Sequence, residues 1–480
     1  MGALASQRVM ELMARHGLQP IELERYSSSN KIWTTKVKRL RLPDLLCAKT
    51  GLRVEVRAKS DLAIRMSDAP ENEARRWFSG LFDDDIIAFV QCRSGVGAPI
   101  PADTAELFRV KHLRKIPEID TRLGPPKSAG EGSERDRTWA SIVPKRSGEV
   151  LEVTAERILT KLDGGRRQSY RLRGMTPYVR RGSRFSAERE FIAGLPQQKV
   201  SFAELGTQFW DPRSLADGSP LDQYITAKAL GTVGLKSDHA LLRALYQCED
   251  ARVSLEAAGS LAKLGSSAGL DWLEREIANP RDGYLRMEAV FLLSEMRGSP
   301  VQQQAAKLLA EIGGRAVLVG DESRQAAIWG LGRAGLHAYS ELLPFLDADD
   351  EDERIHATVA FGPELPGEVV SKLVSIVGND SGSDRQRASA LHILSRLNDV
   401  DSTARQLCEV ATGSTKLASA WARAALGSME PHKVRNVIRD QALLEDILPL
   451  QLLSTATNWT RNESTAESIN FVQKQTVFSD

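Results

Sequence analysis

The sequence predicts a multidomain protein: an N-terminal α/β domain, a small all-β domain and a C-terminal α-solenoid. Three observations carry this. Residues 1 to 122 alternate helical and strand patterns, residues 138 to 200 read as short strands separated by turns, and residues 221 to 457 are almost wholly helical with a recurring Ala-rich unit. At roughly 100 to 200 residues per domain, a chain of 480 residues makes about three domains. With 42% hydrophobic residues and 64 Lys and Arg against 63 Asp and Glu, the composition excludes a disordered chain.

The net charge of +1 conceals a split. Residues 1 to 200 hold 37 Lys and Arg against 25 Asp and Glu, a net of +12, whereas residues 201 to 480 hold 27 against 38, a net of −11. The first part can lie on a polyanion and the second cannot easily do so. No apolar run approaches a membrane span, and the opening MGALASQRVMELMARHG is charged and amphipathic rather than a signal peptide, so a cytoplasmic protein without a membrane partner is expected. Cys47, Cys92, Cys248 and Cys408 lie far apart and form no paired motif, which points to ordinary thiols.

Taken in order, residues 6 to 16 form a helix with Val9, Met10, Leu12 and Met13 inward, closed by Gly17. Leu45 and Leu46 end one strand, Lys49-Thr50-Gly51 turns the chain, and Leu52 to Ala58 form the next strand. Alternation places Glu55, Arg57 and Lys59 on one face of that strand and Val54, Val56 and Ala58 on the other. A helix is expected over 71 to 81, followed by the apolar run Ile86 to Val90. Residues 123 to 137, rich in Gly, Pro, Ser and charge, read as a linker. Beyond it, Ser147-Gly148 and Asp163-Gly164-Gly165 are hairpin signals between short apolar strands.

The helical part repeats Leu230, Leu261, Leu292, Leu331, Phe361, Leu391 and Leu426 at intervals of 31, 31, 39, 30, 30 and 35, each preceded by small residues. Such a period requires stacked helix pairs, none able to bury its apolar face alone. These segments, such as EAAGSLAKLG and RQAAIWGLGRAG, resemble HEAT-like repeats in the short Ala-rich form of bilin-lyase-type proteins. The acidic stretch DADDEDE, residues 347 to 353, reads as a solvated loop between repeats, and residues 458 to 480 as a frayed tail. An acidic solenoid suits a protein partner, and the oligomeric state stays open.

In the N-terminal domain, the order helix, Gly, strand, polar SSSN, Pro43-Asp44, hairpin and Glu55-x-basic resembles the PD-(D/E)xK nuclease superfamily, particularly its Holliday-junction-resolvase-like branch. The resemblance implies a restriction-endonuclease-like fold in which Asp44 and Glu55 bind Mg²⁺ or Mn²⁺ while Arg57 or Lys59 stabilises charge on the phosphate. Two departures stand out. The family's lysine slot holds Arg57, with Lys59 one pleat further, and the early helix glutamate has only Glu11, Glu22 or Glu24 as substitutes. Lys31, Trp33, Lys36, Lys38, Arg39 and Arg41, with Arg53 and with Arg75 and Arg76 of the expected helix, supply a surface for DNA phosphates and a stacking ring. In the β domain, Arg166, Arg167, Arg180 and Arg181 extend it; YVRRGSRFSAEREFIAG resembles barrel-sandwich-hybrid domains, without a lysine at the hairpin. No P-loop, dinucleotide fingerprint or nucleophile elbow is present. The resulting expectation is a metal-dependent DNA endonuclease on a helical-repeat scaffold, a build that suits defence against foreign DNA or DNA repair. The alternative is a non-catalytic nucleic-acid-binding adaptor.

Overall fold

Helix α1 (Gly2–Arg15) packs Ala5, Val9 and Met13 inward at helical spacing and ends where Gly17 takes a φ of +78°. It begins the computed structural model, which describes the chain apart from residues 24–41, 70–71, 74–75, 94–98, 117–119, 125–133, 207–208, 280–282, 315–321, 334–337 and 464–480. The described residues divide into two units, the first ending at Val233 and the second beginning at Gly234.

In the first unit, β1 (Pro20–Glu22), β2 (Leu45–Cys47) and β3 (Arg53–Lys59) pair antiparallel, and β5 (Ile86–Arg93) returns parallel to β3. Between them runs β4 (Arg65–Asp68), and beyond lie β6 (Ile100–Pro101) and β7 (Glu106–Arg109), both antiparallel to β5. Alternation makes this sheet two-faced. Val54, Val56, Ile86, Ala88 and Val90 face α1 in one core, whereas Ile87, Phe89 and Phe108 join Trp77, Trp139 and Phe191 in another.

That second core changes the domain plan. Trp139 and Phe191 come from the segment expected to fold separately, so no boundary divides residues 1 to 122 from 138 to 200. Nor is 123 to 137 simply a linker: Gly124 ends β8 (Asp120–Gly124), and β9 (Glu134–Thr138) pairs with both β8 and β4. Among the described residues, part of the helix expected over 71 to 81 is also replaced. Arg76 to Gly80 form turns, pinned where Trp77 donates its N–H to the buried Asp68 at 3.0 Å and where Gly80 takes a φ of +76°. Packing of Trp77 and Leu81 into the core outweighs the local helical pattern.

The β region forms two small antiparallel sheets around a shared core of Val150, Ile158, Leu162, Phe185, Ile192 and Ala193. One comprises β11 (Gly148–Val153), β12 (Arg157–Leu162), β13 (Arg167–Arg171) and β15 (Arg184–Phe185). The other comprises β10 (Ser141–Ile142), β14 (Thr176–Pro177) and β16 (Ala193–Gly194). Gly165, at φ +81°, makes the turn expected there, but Gly148 starts a strand. A Cβ on Gly148 would stand 2.5 Å from the Lys161 carbonyl oxygen, so the glycine permits close strand approach rather than a turn.

The second unit is helical. Ala251–Lys263, Gly283–Ser294, Ser323–Arg333, Glu351–Ala360, Asp384–Leu394 and Lys416–Ser428 each pack on the next in this series, with intervening helices alongside. One continuous core runs from Leu255 to Ile447, as stacked repeats require. Leu261, Leu292, Leu331, Phe361 and Leu426 are buried anchors, but Leu391 is half-buried and yields its place to Ile393 and Leu394. The Leu230 helix, Pro220–Val233, belongs to the first unit. The acidic stretch is a loop only in part: Ala348 to Asp350 make the connection, whereas Asp350 also caps Glu351–Ala360 and Glu351, Asp352 and Glu353 fill its first turn, where carboxylates meet the positive end of the helix dipole. At the other end, helix Gln441–Glu463 takes up the start of the expected tail.

Candidate functional site

The β2–β3 hairpin positions the candidate carboxylates. Its turn needs Gly51, at φ +69°, both for conformation and because a Cβ there would stand 2.7 Å from Trp210, which braces the turn and donates its backbone N–H to the Lys49 carbonyl. Leu45 pairs with Val54 and Leu46 with Arg53. Asp44 comes immediately before β2, where this ladder ends. The Asp44 carboxylate accepts the Val56 N–H at 2.8 Å, which holds it against β3. Glu55 is 3% exposed, and Arg57 Nη2 lies 2.9 Å from its Oε1. Lys59 follows on the same face, half-buried, beside Gln91 of β5.

Gln91 is a residue the sequence reading missed. It is buried, and its Oε1 has no hydrogen-bond partner among the described residues. The available signal was a lone polar side chain interrupting the apolar run Ile86 to Cys92.

Other candidates are dispersed. Lys31, Trp33, Lys36, Lys38, Arg39, Arg41 and Arg75 lie outside the described residues. Arg76 is half-buried, 4.0 Å from the Asp68 carboxylate. Arg53, expected to face phosphate, is instead buried: it forms an ion pair with Asp85 at 2.7 Å, donates to the Gly80 carbonyl and stacks over Phe82 at 4.1 Å. Burial pushes the Asp85 carboxyl upward, and the Arg53 charge and the Phe82 N–H pull against it. Nearby, a cleft of about 670 Å³ is lined by Arg53, Asp85, Arg109, Lys111 and Trp210, but by neither Asp44 nor Glu55. Its cations Arg53, Arg109 and Lys111 are outnumbered by Asp83, Asp84, Asp85, Glu204 and Asp222, so the cleft is net negative and does not attract phosphate. Glu11, one possible substitute for the missing helix glutamate, is paired with Arg8 at 2.7 Å.

Arg166, Arg167, Arg180 and Arg181 are exposed on the β region. None has an ion-pair partner among the described residues.

In the second unit, charged groups tie neighbouring repeats: Arg252 to Glu288 at 3.6 Å, Lys263 to Glu295 at 2.7 Å, and Arg324 to the buried Glu353 at 2.7 Å. Helix stacks on helix at a period near 30 residues. Residues 213–294 match the family model for HEAT repeats. The chain therefore carries HEAT-like helical repeats. Among solved structures, it is similar to the complex of CpcE and CpcF of phycocyanin lyase from Nostoc sp. PCC7120, at 20% identity over 52% of this chain and 96% of that one, with a TM-score of 0.25. A designed armadillo repeat protein matches at 15% identity over 44% of this chain and 99% of the other, with a TM-score of 0.23. Human deoxyhypusine hydroxylase matches at 13% over 52% and 97%, with a TM-score of 0.21. No curated protein matches the sequence. No helix among the described residues is long and apolar enough to cross a membrane.

Proposed function

We propose that the chain is a metal-dependent DNA endonuclease whose first unit holds the catalytic carboxylates and whose HEAT-like repeats hold a protein partner. One observation supports the reading: at this hairpin the Asp44 carboxylate is held on the Val56 N–H at 2.8 Å, and the neighbouring Glu55 carries Arg57 on its Oε1. The strand order supports a PD-(D/E)xK-like domain, since α1 is followed by three antiparallel strands and a return strand parallel to the third.

The donor set fits a hydrated Mg²⁺ or Mn²⁺. No group of three or more His, Cys, Asp or Glu converges among the described residues, whereas Mg²⁺ is commonly held by one or two carboxylates with water and phosphate oxygens completing its shell. When bound, the ion polarises the scissile phosphate and lowers the pKa of the attacking water. Asp44 and Glu55 would hold it. Arg57 stays protonated, so it acts as a charge for the phosphoryl oxygens and not as a base. Lys59 adds a second cation two positions along the same face.

The Arg57–Glu55 ion pair favours a second reading, because it already neutralises one carboxylate: a nucleic-acid-binding adaptor without cleavage. The two readings separate in one assay. Supercoiled, linear, single-stranded and branched DNA are incubated with the protein and Mg²⁺ or Mn²⁺, comparing wild type with Asp44→Asn and Glu55→Gln. The endonuclease reading expects metal-dependent cleavage that both variants lose. Binding without cleavage in either metal refutes it and leaves the adaptor. A role in defence against foreign DNA or in DNA repair belongs to the same proposal.

A further inference from the structure

We infer that the solvent face of the β11–β12–β13 sheet is a second, independent binding surface for double-stranded DNA. The strand register pairs like charges across it. Arg157 stands directly opposite Arg171, and Lys161 directly opposite Arg167, all four exposed. Cross-strand pairs of one sign destabilise a sheet in water, so two such pairs are explained by an anionic ligand that lies over them. Ile158, Thr160 and Leu162 alternate with them and are buried, so these side chains cannot turn inward.

The acidic counterweight on this face is partial. Glu149 stands opposite Lys161 and Arg184 in the register, and Glu152 lies 3.7 Å from Arg157. With Asp163, which holds Arg184 at 2.7 Å, that makes three carboxylates against the five cations Arg157, Lys161, Arg167, Arg171 and Arg184. Arg167 and Arg171 have no ion-pair partner among the described residues.

A second, independent observation lies just past β13. Arg173 and Gly174 have φ of 47° and 82°, and the Met175 N–H bonds the Leu172 carbonyl, which makes a type I′ turn. The first central position of that turn favours Asn or Gly, and an arginine there is strained. An exposed, strained arginine next to the Arg157–Arg171 pair adds a cation where the fold would choose another residue.

The spacing selects the duplex. The two cationic rows are four residues apart along the strands, about 13 Å at roughly 3.3 Å per residue. The major groove of B-form DNA is about 12 Å wide, so the rows match phosphates on its two sides. A single strand has no such pair of rows, and an acidic polypeptide has no fixed spacing of that kind.

The surface shares its ligand with the proposed endonuclease but not its site, so the full-length protein is tested in EDTA, where cleavage cannot contribute. Binding of a short labelled duplex is followed by fluorescence anisotropy between about 50 and about 200 mM salt. Each lost phosphate contact makes the log–log salt slope shallower by about 0.9, so Arg167→Gln with Arg171→Gln should flatten it by about 1.8 and lower affinity at least about tenfold. The melting temperature of that double variant should hold or rise, because like-charge pairs are removed. Arg173→Asn should flatten the slope by about 0.9 while raising the melting temperature. Unchanged salt slopes in the arginine variants, a fall in their melting temperatures, or tighter wild-type binding to single-stranded DNA or polyglutamate than to duplex overturns the inference.

Discussion

Gly332 tests whether the small residues of the repeats set the spacing between stacked helices. It lies near the end of Ser323–Arg333, against the last residue of Glu351–Ala360. A methyl built on it would overlap the Ala360 carbonyl oxygen and stand 2.7 Å from both the carbonyl carbon and the Cβ of Ala360. None of these atoms can rotate away, so the two helices must separate. Overpacking of this kind costs about 1 to 3 kcal/mol, and contact with backbone argues for the upper end. Alanine recovers about 1 kcal/mol of helix propensity. The net loss for Gly332→Ala is therefore about 2 kcal/mol, or roughly 4 to 8 °C in melting temperature for a unit of this size. Calorimetry on the full chain measures it, with Gly413→Ala as control, because nothing lies within 4 Å of a methyl there. The control should be neutral or slightly stabilised. A Gly332→Ala protein as stable as wild type would refute close helix approach as the reason for the repeat's glycine.

The Arg53–Asp85 pair predicts a larger loss: Asp85→Ala leaves a buried guanidinium without its counter-charge and the Phe82 N–H without its acceptor, about 3 to 5 kcal/mol in urea denaturation, whereas an exposed pair would lose under about 1 kcal/mol. His356 gives the repeats a pH dependence. Burial holds its imidazole below the ordinary value of 6.5, although bonding to the Asp352 carbonyl opposes this, so the unfolded chain takes up the proton more readily than the folded one. Stability is full above the unfolded value and is lost as pH falls below it. Thermal melts of wild type and His356→Gln from about pH 7.5 to about pH 5 should diverge, the wild type falling faster. Parallel curves would contradict this.

The hairpin that carries Asp44 and Glu55 was legible because hairpins are local. The turn glycine and the two-residue alternation set Glu55, Arg57 and Lys59 on one face before any distant contact is considered, and the spacing of Leu261, Leu292 and Leu331 likewise specifies stacked helix pairs. Charge was less legible. Arg53 and Arg57 belong to one basic run and share one strand face, yet the first is buried on Asp85 and the second reaches Glu55. Burial depends on which element covers a strand, and Asp85 is 32 residues away in sequence.

The sequence by itself determined periodicity: strands that alternate, helices that recur, and a basic part followed by an acidic one. The tertiary structure decided partners. It turned Arg76 to Gly80 into turns, made strand of both ends of 123 to 137, and placed DADDEDE at a helix start. It also set Arg157 against Arg171 and Lys161 against Arg167. The reason is physical: a local pattern fixes which face a side chain occupies, but the energy of a charge depends on what lies within a few ångströms, and those neighbours come from other parts of the chain.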